Sequence, residues 1–180
     1  LPELRRISDA WLAEHNTAEK GFSLGAFDDD YVARQPVAVI HHGADMVAFA
    51  TLMTTHTRVE ASIDLMRQLP GAPKSTMDLL FAKLILHFQA EGYQRFGLGM
   101  APLSGMANHP LAPNWHRLGR LLYAHGEHFY NFQGLRAFKE KFAPVWEPRY
   151  LAAPGGVAPL IVLTDITALI SGGFKGVIAK

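Results

Sequence analysis

The sequence contains no cysteine, which excludes disulfides, thiolate metal sites and cysteine nucleophiles and suits a reducing compartment. It also lacks an excess of either charge: 17 Lys and Arg against 16 Asp and Glu give a formal net charge of +1. A chain so balanced carries no global basic field to advertise nucleic acid, so any contact with RNA or anionic lipid has to come from local patches. No run of about 18 apolar residues occurs, and no segment therefore reads as a bilayer span. The chain opens Leu1-Pro2-Glu3-Leu4-Arg5-Arg6, without an initiator Met and without the apolar stretch of a secretory leader. That opening is expected of a piece of a longer protein. No internal repeat or low-complexity stretch breaks the sequence.

What is present suits one globular domain. The 180 residues are 49% hydrophobic and 18% charged, enough to bury a single substantial core. Leu4, Ile7, Trp11 and Leu12 recur at helical spacing between Arg5, Arg6, Asp9 and Glu14, which predicts an amphipathic helix over Leu4–His15. Gly21–Asp30 reads as a loop. Val37–His41 and Met46–Met53 read as strands joined by His42-Gly43-Ala44-Asp45, and Val59–Met66 as a third strand. Ser75 with Asp78 three residues on resembles a capping box opening a helix to about Glu91, with Leu80, Leu84, Phe88, Met77, Phe81 and Ile85 forming a broad apolar face. Arg95–Met100 is predicted as a fourth strand, Trp115–Ala124 and Phe132–Phe142 as helices, Arg149–Ala152 as a last strand, and Val157–Ile170 as an apolar helical tail. The expected division is an N-terminal helix and linker (1–20), a core (21–156) and a C-terminal helix and tail (157–180). This order of elements is found in the N-acetyltransferase-like (GNAT) fold, an α/β (α+β) architecture whose mixed, mostly antiparallel sheet is flanked by helices.

Asp64 and Arg67 lie in Ser62-Ile63-Asp64-Leu65-Met66-Arg67, at the exit of the third predicted strand. Regular alternation points Asp64 away from Ile63 and Leu65, and strand exits in α/β folds line ligand crevices. The plain alternative is a surface ion pair of small worth. From His125 to Phe142, aromatics interleave with Arg136, Lys139 and Lys141, a mixture suited to stacking on bases and contacting phosphates. For Phe129, Phe132, Phe138 and Phe142 the edge of an apolar core is the simpler reading. On a helix Lys139 and Lys141 diverge by roughly 200° and cannot face one site. Nine histidines raise the question of a metal, yet His125 and His128 sit in no HExxH, and His41 and His42 on a strand point to opposite faces. No metal site is expected. Ser104 lacks the GxSxG elbow of a hydrolase and reads as a loop serine.

One further absence concerns the donor. GNAT enzymes cradle the pyrophosphate of coenzyme A in a glycine-rich turn between the fourth strand of that fold and the helix after it. Here that place holds Arg67-Gln68-Leu69-Pro70-Gly71-Ala72-Pro73-Lys74, with one glycine and two prolines. Each proline removes a backbone donor that a phosphate requires. Coenzyme A is disfavoured, and no cofactor is expected.

Several strings resemble the phosphatidylglycerol lysyltransferase (multiple peptide resistance factor) family. They are Gly21-Phe22-Ser23-Leu24-Gly25, Ser62–Arg67, Phe96–Gly105, Phe129–Arg136 and Phe138–Phe142 with Pro144, Trp146, Pro148, Arg149 and Tyr150. The likeness runs from about Leu4 to Gly156. It implies the second of two acetyltransferase-like units on the cytosolic face of a bacterial inner-membrane enzyme, itself soluble, and separated here from the first unit and the membrane domain. The partners so implied are an aminoacyl-tRNA and phosphatidylglycerol at the membrane surface, with an aminoacyl group, lysyl or similar, moved to the lipid hydroxyl and resistance to cationic antimicrobial peptides as the outcome. Family positions fall on Asp64, Arg67 and Glu127 as catalytic residues, and on Lys139 and Lys141, with Arg136 and Tyr130 beside them, for binding substrate. Ester-to-ester transfer needs a base, oxyanion donors and cations for phosphate, but neither ATP nor a metal. Asp64 and Glu127 remain alternative bases. Two other readings stand beside this one: a non-catalytic docking half for tRNA or lipid, and a small-molecule acyltransferase using coenzyme A.

Overall fold

The computed structural model describes residues 1–15, 26–102, 104, 132–150, 161–162 and 165. The chain falls into two compact units, one formed by Leu1–Gly97 with Pro148–Lys180 and the other by Leu98–Glu147.

In the first unit, helix α1 spans Pro2–Glu14. Pro2 sits in the first turn, where its missing N–H costs no hydrogen bond, and Glu3 there complements the helix dipole. Leu4 and Ile7 drive the packing: both are buried in a cluster with Phe27, Val32, Phe49 and Leu65. Part of the expected loop is instead a short helix, α2, at Asp29–Val32. Asp28 supplies the reason, because its carboxylate caps the helix by accepting the Tyr31 N–H at 2.9 Å. Arg5 of α1 fastens the same segment, pairing with Asp29 at 3.0 Å and lying over the Phe27 ring.

Strands β1 (Val37–His42), β2 (Asp45–Thr54), β3 (Glu60–Gln68) and β4 (Arg95–Gly97) form a sheet in that order. β1 pairs with β2 and β2 with β3 antiparallel, whereas β3 and β4 run parallel. The meander expected for Val37–Met66 is therefore present. Parallel neighbours need a crossover, which helix α3 (Thr76–Ala90) provides. Leu80, Leu84 and Phe88 are buried with Ala50, Leu52 and Ala61, so α3 covers the sheet face opposite the α1 cluster. Ser75 occupies the N-cap position, as expected, but its side chain makes no capping bond. The backbone instead closes a turn, with the Thr76 N–H donating to the Pro73 carbonyl at 2.9 Å. Gly92, at φ +82°, ends the helix in the left-handed conformation that glycine tolerates.

The β3–β4 ladder holds only the pairs Glu60↔Arg95, Ala61↔Phe96 and Ser62↔Gly97, while β3 continues beyond it to Gln68. β4 is shorter than its apolar run suggests because Gly99 has φ +73°, outside the extended region a strand requires. In the second unit, helix α4 covers Phe132–Glu140. Arg149 and Tyr150 are not in a strand, and residues 151–152 and the helix predicted at Trp115–Ala124 lie outside the described residues. Of the tail, residues 161, 162 and 165 are described and helical. Among the described residues no helix is long and apolar enough to cross a membrane.

Candidate functional site

The surroundings of Asp64 are built by an irregularity in β3. Ala50 of β2 is opposite Met66, but Leu52 is opposite Ile63, so β3 carries one more residue than its partner over this stretch. Asp64 and Leu65 together face Thr51, which defines a β-bulge. Its backbone is held from β2: the Leu65 N–H donates to the Thr51 hydroxyl at 3.0 Å, and Thr51 is fully buried.

The bulge changes which residues share a face. Ala61, Ile63 and Met66 pack in the cluster under α3, whereas Leu65 lies in the cluster under α1. The alternation predicted from the sequence, with Asp64 opposed to Leu65, is thus corrected. Asp64 engages the α1 side too, accepting a hydrogen bond from the Tyr31 hydroxyl of α2 at 2.6 Å. Tyr31 itself packs against the α1 cluster.

Arg67 follows three residues later. On a regular strand that spacing sends two side chains to opposite faces; with the bulge between them, both engage the helices on one face. The Arg67 guanidinium lies 4.1 Å from the centre of the Trp11 ring near the end of α1, and its Nη1 donates to the Met66 carbonyl at 3.0 Å. Trp11 also stacks on His15 with ring centres 4.2 Å apart. Such a stack holds a guanidinium through its π-face.

Tyr31 is the most perturbed group of this site. The hydrogen bond to Asp64, followed by burial and the Asp64 charge, pushes its phenol from 10.0 to about 12. Tyr31 therefore keeps its proton at any physiological pH. Sequence reasoning passed over it because Asp-Asp-Asp-Tyr reads as loop. The available signal was Asp28 three residues before Tyr31, at cap spacing. Thr51 was missed likewise, since a threonine in an apolar strand reads as ordinary β-former.

In the second unit the cations do not behave alike. Lys139 is buried at 5% exposure, and its ammonium donates to the Met100 carbonyl at 2.7 Å. Burial lowers its pKa from the ordinary lysine value. Gly99 lies so close that a Cβ there would stand 3.6 Å from the Lys139 Nζ. Lys141, just past α4, is exposed, with its ammonium 5.2 Å from the centre of the Phe138 ring. The helix ends at Glu140, so the divergence expected of two helical lysines does not apply to Lys141; one lysine is buried and the other exposed. Arg136 is committed locally, pairing with Glu140 at 2.8 Å and stacking over Trp146 at 4.7 Å. Glu127 and Tyr130, like His125 and His128, lie outside the described residues.

The arrangement in the first unit can orient a carboxylate and hold a guanidinium on the same sheet face; that in the second holds a desolvated ammonium against a glycine-containing loop. Comparison with known proteins gives these features a context. The family described as "Phosphatidylglycerol lysyltransferase, C-terminal" matches residues 1–153. The phosphatidylglycerol lysyltransferase of Bacillus subtilis (strain 168) is 38% identical over 172 residues, which are 94% of this chain and 20% of that protein. Its namesake from Staphylococcus xylosus is 38% identical over 152 residues, 84% of this chain and 18% of that one. Among solved structures, a C-terminal domain from Agrobacterium fabrum described as that of a lysylphosphatidylglycerol synthetase has 51% identity and a TM-score of 0.80, covering 97% of this chain and 52% of its own. The L-PGS structure from Bacillus licheniformis has 39% identity and a TM-score of 0.72, covering 94% and 50%. The chain spans about a fifth of the length of these curated relatives.

Proposed function

The chain belongs to the phosphatidylglycerol lysyltransferase C-terminal family, and from that premise we propose that it carries the acyl-transfer site of an enzyme moving an aminoacyl group from aminoacyl-tRNA to a hydroxyl of phosphatidylglycerol. The parent would act at the cytosolic face of a bacterial membrane, and its cationic lipid product would lower the negative surface charge that attracts cationic antimicrobial peptides. The observation that carries this reading is the Asp64 carboxylate, held by the Tyr31 hydroxyl at 2.6 Å on a bulged strand with Arg67 on the same face. A positioned carboxylate is the base such a transfer requires. The Arg67 guanidinium suits a phosphate or a developing oxyanion, and we assign Lys139 and Lys141, with Arg136 and Tyr130, to binding of substrate and Glu127 to catalysis beside Asp64.

We further assign the sheet to the N-acetyltransferase-like class. Three features support it: the antiparallel meander, the parallel β3–α3–β4 crossover, and a parallel ladder that stops after Ser62↔Gly97 while bulged β3 runs on. The turn from β3 to α3 argues against coenzyme A as donor. Pro70 and Pro73 offer no N–H to a pyrophosphate. An aminoacyl ester is already activated, so the proposed reaction proceeds without ATP, a metal or another cofactor.

The test is transfer of radiolabelled aminoacyl groups from several charged tRNAs to phosphatidylglycerol vesicles, with acetyl-coenzyme A as an alternative donor. The intact protein is expected to label the lipid from at least one tRNA and to transfer nothing from acetyl-coenzyme A. Activity lost in Asp64→Asn with tRNA and vesicle binding retained supports a catalytic role. Labelled lipid at the normal rate with Asp64→Asn would show that Asp64 is not the base, and a normal rate with Glu127→Gln as well would mark this chain as a docking half.

A further inference from the structure

We propose that Tyr31 is the positioning residue of Asp64, its hydroxyl anchoring one carboxylate oxygen so that the base keeps a single orientation during acyl transfer. The proposal rests on the reading of Asp64 as the base, and its test separates the two.

A carboxylate on a strand turns about two side-chain torsions, and a base that must meet an acceptor hydroxyl at hydrogen-bond distance loses rate if it wanders. Here the backbone and the side chain are each restrained. From β2, Thr51 accepts the Leu65 N–H and holds the bulge that aims Asp64 toward α2. From α2, Tyr31 donates to Oδ2 at 2.6 Å, in the short range of O–H···O⁻ bonds.

The element that presents Tyr31 is itself sustained by contacts rather than by propensity. Four residues are too few to form a stable helix alone. α2 is kept by the Asp28 cap, the Arg5–Asp29 ion pair, the Arg5–Phe27 stack and the burial of Phe27 and Val32 in the α1 cluster. These contacts converge on a segment that reaches into the sheet through the tyrosine hydroxyl. A phenol suits the task, since it donates its proton without releasing it at working pH.

In the reaction so framed, the lipid hydroxyl oxygen bonds to the carbonyl carbon of the aminoacyl ester as its proton passes to Asp64. The bond from that carbon to the donor's ribose oxygen then breaks, and the proton returns from Asp64 to the leaving oxygen. Tyr31 keeps its own proton throughout, so atoms and charge balance without a further reactant.

The experiment is a double-mutant cycle in the intact protein, using aminoacyl transfer from charged tRNA to phosphatidylglycerol vesicles. Tyr31→Phe keeps the ring and removes only the hydroxyl. It is expected to lower kcat about 10-fold with KM for both substrates unchanged, and to lower the melting temperature by no more than the lost hydrogen bond to Asp64 accounts for. Asp64→Asn is expected to lose about 10²-fold or more, and adding Tyr31→Phe to it should cost nothing further, because the hydroxyl then has no base to hold. Normal kcat in Tyr31→Phe beside a crippled Asp64→Asn overturns the positioning role and leaves the base standing. Normal kcat in Asp64→Asn overturns both. A Tyr31→Phe loss that adds fully to Asp64→Asn marks Tyr31 as a packing residue and also overturns the proposal.

Discussion

Thr51→Val is the substitution that isolates the bulge. Valine has nearly the shape of threonine, so the fully buried site is neither emptied nor overfilled. What disappears is the acceptor for the Leu65 N–H, now 3.0 Å from the hydroxyl. Leu65 is 2% exposed, so water cannot take the place of the lost oxygen without the strand opening. A buried donor left without an acceptor costs about 1–3 kcal/mol, against a gain of no more than about 1 kcal/mol from exchanging a hydroxyl for a methyl. A net loss of roughly 1–2 kcal/mol follows, which for a chain of this size lowers the melting temperature by roughly 2–8 °C. Thr51→Ser keeps the oxygen and loses a methyl, with an expected cost of about 1 kcal/mol, yet it preserves the bulge. The decisive assay pairs denaturant unfolding with aminoacyl transfer. Val is expected to lower both stability and kcat, Ser stability alone. Wild-type stability and turnover in Thr51→Val would show that the hydroxyl does not hold the bulge, or that the bulge does not aim Asp64.

Leu84→Ala, at a position 5% exposed between α3 and the sheet, should cost about 2–5 kcal/mol in denaturant unfolding; a loss under 1 kcal/mol would mean that α3 is not packed as described. Gly99→Ala should destabilise the second unit by about 1–2 kcal/mol through its φ of +73° rather than through a clash, and hydrogen exchange around α4 would report it. The Tyr31 phenol, at about 12 folded against 10.0 unfolded, predicts an alkaline signature. A raised folded pKa gives stability that is complete below pH 10 and is lost as pH rises from 10 through 12. Wild-type protein should therefore lose stability across that window, and Tyr31→Phe should lose less; equal slopes would show that the hydrogen bond does not persist in solution.

Much of the fold was legible because periodicity reports burial directly. Leu4 and Ile7 at helical spacing, the meander of Val37–Met66, and Leu80, Leu84 and Phe88 on one face of α3 all follow from apolar residues seeking the same core. The misses share a different cause. α2 depends on a single side-chain cap from Asp28 and on Arg5, some two dozen residues earlier in the chain, so no local window contains its stabilisation. The Ser75–Asp78 pattern erred in the opposite sense, since a motif permits a cap without compelling one, and Ser75 holds the N-cap position with no side-chain capping bond. β4 ended early because one glycine at positive φ outweighs an apolar run.

The site shows why choosing residues does not by itself yield their geometry. Asp64 and Arg67 were singled out by their place at a strand exit and then by resemblance, and strand alternation would have put them on opposite faces of the sheet, one with α1 and the other with α3. No pattern in Ser62-Ile63-Asp64-Leu65-Met66-Arg67 announces an extra residue, because a bulge is a property of two strands: it exists only where Thr51 of β2 meets both Asp64 and Leu65. The signal was nevertheless present in the partner. A threonine between Ala50 and Leu52, buried to 0% exposure, is a polar group in an apolar strand, and a buried hydroxyl must answer to some backbone group. Asking which N–H it serves leads to Leu65, from Leu65 to the displaced register, and from the register to a carboxylate and a guanidinium turned toward the same pair of helices. Buried polar residues in otherwise apolar strands are therefore the places to look for irregularities that periodicity cannot show, and in this chain the irregularity is what assembles Tyr31, Asp64 and Arg67 into one neighbourhood.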